Sequence, residues 1–277
     1  MITSVTNDTV KYVEKLKKKA SFRREEGAFV VEGIRMIREV PEKLRRRLYL
    51  TEAALDQYPE LGDWCGDVET VTEPVLRKMS DTENPQGMLA VAAMPTEDTD
   101  KADDPAQAGH TGKADDPAHT EGASQADSSP LYLVLDGLQD PGNVGTLIRT
   151  AEAVGAAAVL LSRDSADPFS PKVVRSTMGT IFRVPLRICE DLPRAIGELK
   201  KAGVVVFGTH LSGTDVYAAD LSGPLALLIG NEGNGLTEEV AACADRLLRI
   251  PMEGQVESLN AAVSGSVVAY EAYRQRR

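Results

Sequence analysis

Hydrophobic positions along this chain form two patterned regions separated by a stretch that has none. Over residues 7–20, NDTVKYVEKLKKKA, the residues Val10, Val13, Leu16 and Ala20 recur at near-helical spacing, which predicts a helix with Lys11, Lys15 and Lys18 on another face. Short apolar runs at 29–31, 48–50, 68–71 and 88–92 read as strands. Helices are expected around Ile34, Met36 and Ile37 and over 73–79, giving a small α/β domain with a basic edge at Lys43, Arg45, Arg46 and Arg47. From residue 131 the alternation is more regular. Strands are predicted at 131–135, 157–161, 204–207, 225–229 and 247–250, and helices at 144–154, 172–178, 192–201 and 258–274. Short apolar runs alternating with helices indicate an α/β fold with a mostly parallel sheet and helices on both faces. Ligands of such sheets bind at loops beyond the strand C-termini.

The unpatterned stretch is 95–130. It holds no Val, Ile, Leu, Met or aromatic residue, and the hexamer KADDPA occurs twice, at 101–106 and 113–118. Such a segment cannot bury enough apolar area to offset its ordering entropy. It is expected to be a disordered acidic linker whose charge serves solvation and solubility, with the alternative of mimicking or repelling RNA phosphates. The expected organisation is therefore an N-terminal domain at 1–94, a linker at 95–130 and a C-terminal domain at 131–277.

Charge changes its meaning once it is placed. The whole chain of 277 residues carries a formal net charge of −11, which by itself speaks against a nucleic-acid partner. Yet residues 1–50 are net +6, residues 51–94 are −7, the linker is −7 and residues 131–277 are −3. A local basic surface is thus compatible with an acidic total. Cys65, Cys189 and Cys243 are too far apart for a disulfide framework or a zinc knuckle, and no run approaches a membrane span. The first residues lack the charged and apolar regions of a signal peptide, so the cytoplasm is the expected compartment. His110 and His119 fall in the linker, leaving His210 alone in a patterned region. Histidine triads and multi-histidine metal sites are not expected, and no metal is.

Chemistry is concentrated in three loops of the C-terminal half. They are DGLQDPGNVGTLIR at 136–149, IGNEGNGL at 229–236 and IPMEGQVESLNA at 250–261. The second reads G-x-x-G-x-G, and the chain contains no phosphate-loop motif, so a nicotinamide-dependent oxidoreductase is disfavoured. Taken singly, each loop is most simply a set of turns. Asn143 has a helix N-cap as its plain reading, Glu232 a solvated turn, Ser258 a cap and Arg149 a surface helix position.

In order and spacing, the three loops resemble the motifs of the SpoU (TrmH-like) family of RNA ribose 2′-O-methyltransferases in the SPOUT superfamily. The resemblance rests on Asn143 with Arg149 six positions later, on Gly230-Asn231-Glu232-Gly233, and on Ile250-Pro251 followed by Ser258-Leu259-Asn260. The segment Asp167-Pro168-Phe169-Ser170-Pro171-Lys172-Val173-Val174-Arg175-Ser176 is similar to the family's connecting region. The N-terminal part is similar to the ribosomal-protein-like substrate-binding domain of many members.

The resemblance implies a C-terminal deep trefoil knot, S-adenosyl-L-methionine as cofactor, RNA as substrate, and a homodimer. It places Thr209, Gly230, Ile250 and Leu259 at the cofactor. It assigns catalytic roles to Asn143, Arg149, Glu232, Ser258 and Asn260, and contacts with RNA phosphates to Lys172, Arg175 and Ser176. Arg149 either binds and orients a phosphate or acts as the base; an arginine ordinarily keeps its proton, so the second role requires a special environment. The added N-terminal domain favours ribosomal over transfer RNA. The alternatives are a tRNA 2′-O-methyltransferase and a non-catalytic RNA-binding or ribosome-assembly factor on the same fold.

Overall fold

A computed structural model of the protein describes residues 1–95 and 129–277; the segment read as an acidic linker lies, except at its ends, outside the described residues. Contacts divide the chain into two units. The first comprises Met1–Thr96, Asp140–Arg149 and Ala166–Arg183, and the second comprises Glu97–Gln139, Thr150–Ser165 and Val184–Arg277.

The first unit begins with helices α1 (Asp8–Lys18) and α2 (Ala20–Glu26), strand β1 (Ala28–Glu32) and helix α3 (Ile34–Glu39). Strand β2 (Arg45–Leu50), helix α4 (Glu52–Gln57), strand β3 (Val68–Thr70), helix α5 (Glu73–Met79) and strand β4 (Met88–Ala93) follow. The sheet order is β1-β4-β2-β3, with β2 and β3 parallel and the other pairs antiparallel. The predicted helix over 7–20 breaks at Lys19, an extended residue between two helices, and Asn7 caps its start by accepting from Thr9 N–H. Val10, Val13 and Leu16 do form its buried stripe, against Val75, Leu76 and Met79 of α5. The basic edge is largely committed to structure. Arg45 donates to the carbonyls of Val40 and Trp64, and Arg47 pairs with Asp67.

The same unit contains helix α7 (Pro171–Thr177), which packs on β1. Phe29 of β1 lies 5.1 Å from Phe169 and 5.8 Å from Phe182 between ring centroids. Arg23, only 3% exposed, pairs with Asp167, and Arg183 pairs with Glu39. Residues 166–183 therefore share an apolar core with the N-terminal sheet.

In the second unit, β5 (Leu131–Leu135) leads into helix α6 (Pro141–Ala153), whose first residues are counted with the first unit. Strand β6 (Ala158–Ser162), β7 (Leu186–Cys189), helix α8 (Leu192–Lys201), β8 (Val205–Asp215) and β9 (Leu225–Ile229) follow. Helix α9 (Glu238–Ala241), β10 (Arg246–Arg249) and helix α10 (Ala261–Gln275) complete it. All six strands are parallel, in the order β10-β8-β9-β5-β6-β7. Full burial of β5 and β9 explains their uninterrupted apolar runs. Tyr132, Val134, Ala226 and Leu228 face Ile196 and Leu199 of α8, while α10 lies on β9.

Three expectations need correction. Strand β7 was not predicted, because its sequence LRIC is short and only half-buried. Strand β8 runs well beyond Phe207. Its pairing with β10 jumps from Gly208 to Thr214, so 209–213 leave the ladder as an excursion. The last helix starts at Ala261 rather than 258, and Asn260 is its cap.

Candidate active site

The order of the parallel sheet fixes where a ligand can sit. From β5 the chain builds outward through β6 and β7, then crosses back to β8, β9 and β10, so β5 and β9 flank the reversal point. The crevice beyond strand C-termini at such a point is the usual binding position. Here the loops leaving β5 and β9 are stapled together. Asp136, 4% exposed, accepts from Thr237 N–H (2.7 Å) and hydroxyl (2.9 Å). The amide of Asn231 donates to Gly137 O at 2.7 Å, and its oxygen accepts from Gly233 and Asn234 N–H. The backbone N–H of Gln139 donates to the Glu232 carboxylate at 3.3 Å.

Gly230 makes the second loop possible. The loop closes on itself through paired Asn231 and Gly235 backbone bonds of 2.8 and 3.0 Å. A Cβ on Gly230 would lie 2.2 Å from the carbonyl carbon of Gly235. That neighbour is backbone and cannot step aside, so glycine is required for a close approach and not for an unusual φ.

Beyond the C-terminal ends of β9 and β10, and beside the excursion after Gly208, lies a cavity of about 370 Å³. Thr209, Gly230, Ile250 and Leu259 all line it, together with Glu232 and Ser258. Leu248 and Met252 add apolar wall. Thr209 is held by donating its hydroxyl to Leu228 O at 3.0 Å. Asn260 is adjacent in sequence to this wall, but its side chain caps α10, accepting from Ala262 and Val263 N–H. Ser258, the expected cap, is exposed and lies two residues before the capping position.

The remaining expected residues belong to the other unit. Asn143 is buried at the third position of α6 and is not its cap; its N–H donates to Asp140 Oδ1 at 2.9 Å, so Asp140 takes that role. Arg149 is exposed and has no hydrogen-bond or ion-pair partner among the described residues. Lys172 is exposed, whereas Arg175 pairs with Asp81 at 2.9 Å. The Ser176 hydroxyl donates to the carbonyls of Val173 and Pro141 and sits where a Cβ on Gly145 would fall, 1.8 Å away. Helices α6 and α7 thus meet at Gly145.

Sequence reasoning assigned no role to Asp136, Asn231, Thr237, His210 or Arg249. His210 and Arg249 line the cavity. The ring Nδ1 of His210 accepts from Ser212 N–H at 3.2 Å, which leaves the proton of the neutral ring on Nε2. The signal for Asp136 was present, a carboxylate directly after a five-residue apolar strand; its partner is 101 positions away.

Residues 130–270 match the SpoU rRNA Methylase family. The chain belongs to that family. Residues 7–90 match the MRM3-like substrate binding domain. The 23S rRNA (guanosine(2553)-2′-O)-methyltransferase RlmP of Bacillus subtilis is 33% identical over 273 residues, 97% of each chain. The 23S rRNA (guanosine-2′-O-)-methyltransferase RlmB of Vibrio vulnificus is 39% identical over 150 residues, covering 54% of this chain and 61% of its own. Among solved structures, an AdoMet-bound rRNA methyltransferase from Sinorhizobium meliloti shows a TM-score of 0.78 at 30% identity, covering 99% of this chain and 97% of that one. The SpoU methyltransferase AviRb of Streptomyces viridochromogenes, in complex with AdoMet, gives 0.78 at 28% identity over 98% and 99%.

The cavity of this SpoU chain fits such a cofactor on its own terms. Its size is within the range of about 300–1,000 Å³ usual for small-molecule sites, and apolar walls with a few polar groups suit a flat base joined to a charged tail. The Gly230 turn brings backbone rather than side chain to its edge.

Proposed function

We propose that this SpoU-family chain methylates a ribose 2′-hydroxyl of structured RNA, ribosomal RNA in the first instance, with S-adenosyl-L-methionine as methyl donor. The observation that carries the reading is the single cavity in which Thr209, Gly230, Ile250 and Leu259 meet Glu232 and Ser258. The names of RlmP and RlmB, both 23S rRNA methyltransferases, favour ribosomal over transfer RNA.

When bound, the cofactor supplies a methyl group on a sulfonium leaving group. Everything else falls to the chain. Ile250 and Leu259 offer apolar surface to the adenine, and Thr209 and the Gly230 turn define the edge of the site. Glu232 holds the loop after β5 through the Gln139 N–H, which steadies the entry to α6. Arg149, which has no internal partner among the described residues, binds and orients a substrate phosphate; a neighbouring anion favours its charged form, so this role is preferred to that of base. Asn143 assists from the same helix, and Asn260 supports the site by fixing the start of α10. Lys172, Arg175 and Ser176 mark the helix that approaches the RNA backbone, an interaction that positions RNA without reading its sequence.

At the scale of the molecule, residues 1–94 act as the RNA-binding domain, 95–130 as linker and 131–277 as the catalytic domain. The C-terminal segment is threaded as a trefoil knot, and the enzyme works in the cytoplasm as a homodimer. Exposed Val263 and Tyr270, seven residues apart on α10, support a helix face that a second copy covers. Light scattering at micromolar concentration is expected to give twice the chain mass; a monomer contradicts the dimer.

The deciding experiment incubates the protein with methyl-labelled S-adenosylmethionine and rRNA from a strain lacking the gene. Alkali-resistant 2′-O-methylated nucleotides are expected, and no cofactor binding by calorimetry would sink the proposal. Arg149→Ala is expected to lower transfer by at least about 100-fold, in the range of a lost catalytic contact, while cofactor affinity stays within about twofold. A variant that still methylates normally removes Arg149 from the mechanism, and a wild type that binds RNA but never methylates it favours the assembly-factor alternative.

A further inference from the structure

The lysines of α1 sort sharply by partner. Lys11 pairs with Asp8 at 2.8 Å, Lys18 with Glu14 at 3.3 Å, and Lys17 donates to the carbonyls of Lys78 and Ser80. Among the described residues, Lys15, Lys19 and Arg46 pair with no carboxylate, and all three are exposed. Lys15 and Arg46 lie beside two aromatic rings, and Lys19 joins α1 to α2 three residues before Phe22. The Lys15 ammonium lies 5.5 Å from the centroid of Phe22, and Phe22 meets Tyr12 edge to face at 5.6 Å. The Tyr12 hydroxyl donates to the Glu26 carboxylate, and Arg46 donates to the Glu26 carbonyl, so the patch is continuous from Lys15 to Arg46. Both rings rest partly on the core of the first unit and remain partly open to solvent.

Aromatic faces at a surface rich in unneutralised cations match one ligand well. An unpaired nucleotide offers a flat base for stacking and phosphates on either side of it. A base-paired A-form helix hides the faces of its bases and offers only phosphates and sugar edges. We propose that Tyr12 and Phe22 form a stacking platform for one unpaired nucleotide of the RNA substrate, with Lys15, Lys19 and Arg46 holding the adjoining phosphates. This rests on reading residues 1–94 as the RNA-binding domain, and it adds a surface and a mode of recognition. Lys15 exchanges its place over the Phe22 ring for a phosphate when the base arrives.

The test uses the full chain and two fluorescein-labelled RNA duplexes of equal length, one blunt and one carrying a single bulged adenosine. Wild-type protein is expected to prefer the bulged duplex. Phe22→Leu keeps an apolar side chain against the core but removes the stacking face; it should lower affinity for the bulged duplex by roughly 5- to 150-fold and leave the blunt duplex unchanged. Phe22→Trp should retain the preference. Lys19→Gln should reduce the log–log salt slope by about 0.7–0.9 on both RNAs, whereas Phe22→Leu should not. Equal wild-type affinity for the two duplexes marks a general anion surface and overturns the platform. So does equal loss in Phe22→Leu and Phe22→Trp, which would reveal a packing role. Methyl transfer to rRNA is measured on the same wild-type preparation. Transfer without bulge preference overturns the platform alone, and bulge preference without transfer counts against the enzymatic reading alone.

Discussion

At the level of single residues, one glycine at the cavity edge admits no side chain. Gly230 sits where any Cβ would strike the Gly235 backbone at 2.2 Å, and that loop forms one edge of the cavity. Gly230→Ala must open the Asn231–Gly235 closure. We expect S-adenosylmethionine affinity to fall at least about tenfold and stability by about 1–3 kcal/mol, the usual range for overpacking. Calorimetric titration with unchanged affinity would show that the loop does not touch the cofactor. Adjacent residues of the same motif do different work. Asn231 staples the loop to Gly137, and Glu232 takes the Gln139 N–H. A motif read as one sequence pattern is thus a set of separate hydrogen-bonding tasks. The residues Thr209, Gly230, Ile250 and Leu259, picked out by resemblance, line one cavity, but Asp136 and Thr237 escaped notice because their contact spans 101 positions.

Among elements, α10 carries the clearest electrostatic device. Glu271, 7% exposed, accepts from Arg274 at 2.7 and 2.9 Å and from Gln275 at 2.7 Å. Gln275 in turn donates to Ala219 O and accepts from Leu221 N–H, tying the end of the helix to the stretch before β9. The Arg274 guanidinium and then the Gln275 amide hold the Glu271 carboxyl down to about 2 from its usual 4.5. A carboxyl depressed in the folded state contributes stability that is fully present above about pH 4.5 and lost as pH falls toward 2. Arg274 is mostly exposed, so solvent screening leaves about 1–2 kcal/mol of the effect. Glu271→Gln should flatten the urea-unfolding stability between pH 5 and 2 and cost little beyond the pH-independent hydrogen bonds. An unchanged acid slope would mean that other carboxylates dominate it. The element boundaries themselves were mostly legible. The strands at 131–135 and 225–229 and the helices at 73–79 and 192–201 occur as read, because strong apolar periodicity coincides with nearby turn residues. Strand β7 and the helix over Glu52–Gln57 were missed because neither has a strong apolar run of its own.

Across the whole molecule, the first unit joins pieces far apart in sequence. Arg23 donates to Asp167, 144 positions away, and to the carbonyls of Leu16 and Lys17 at 2.6 and 2.9 Å. Asp167 also accepts from Phe169 N–H, which shapes the turn before α7. Asp167→Asn leaves a buried guanidinium without its counter-charge and should cost about 3–5 kcal/mol. Replacing both residues, Arg23→Met with Asp167→Asn, should recover a large part of that loss. Chemical denaturation of the two variants checks this, and a double variant as unstable as the single one would show that Arg23 matters through its carbonyl contacts instead. The Phe29, Phe169 and Phe182 cluster adds the apolar counterpart of the same junction.

Local chemistry settled what depends on neighbours in the chain. Apolar periodicity specified an α/β architecture, the order of three polar loops specified a family, and segment charges showed that an acidic total of −11 hides a basic first stretch of +6. Tertiary structure decided whatever depends on which residues meet. It chose Asn260 over Ser258 as a cap and Asp140 over Asn143, though all four are residues of good capping types. Among the described residues it brought no carboxylate to Lys15 or Lys19, whereas Lys11 and Lys18 find theirs within one helical turn, at Asp8 and Glu14. It brought residues 166–183 into the core of the N-terminal sheet. The Arg23–Asp167 and Asp136–Thr237 pairings span 144 and 101 positions, and a chain read in sequence carries no term for contacts it has not yet made.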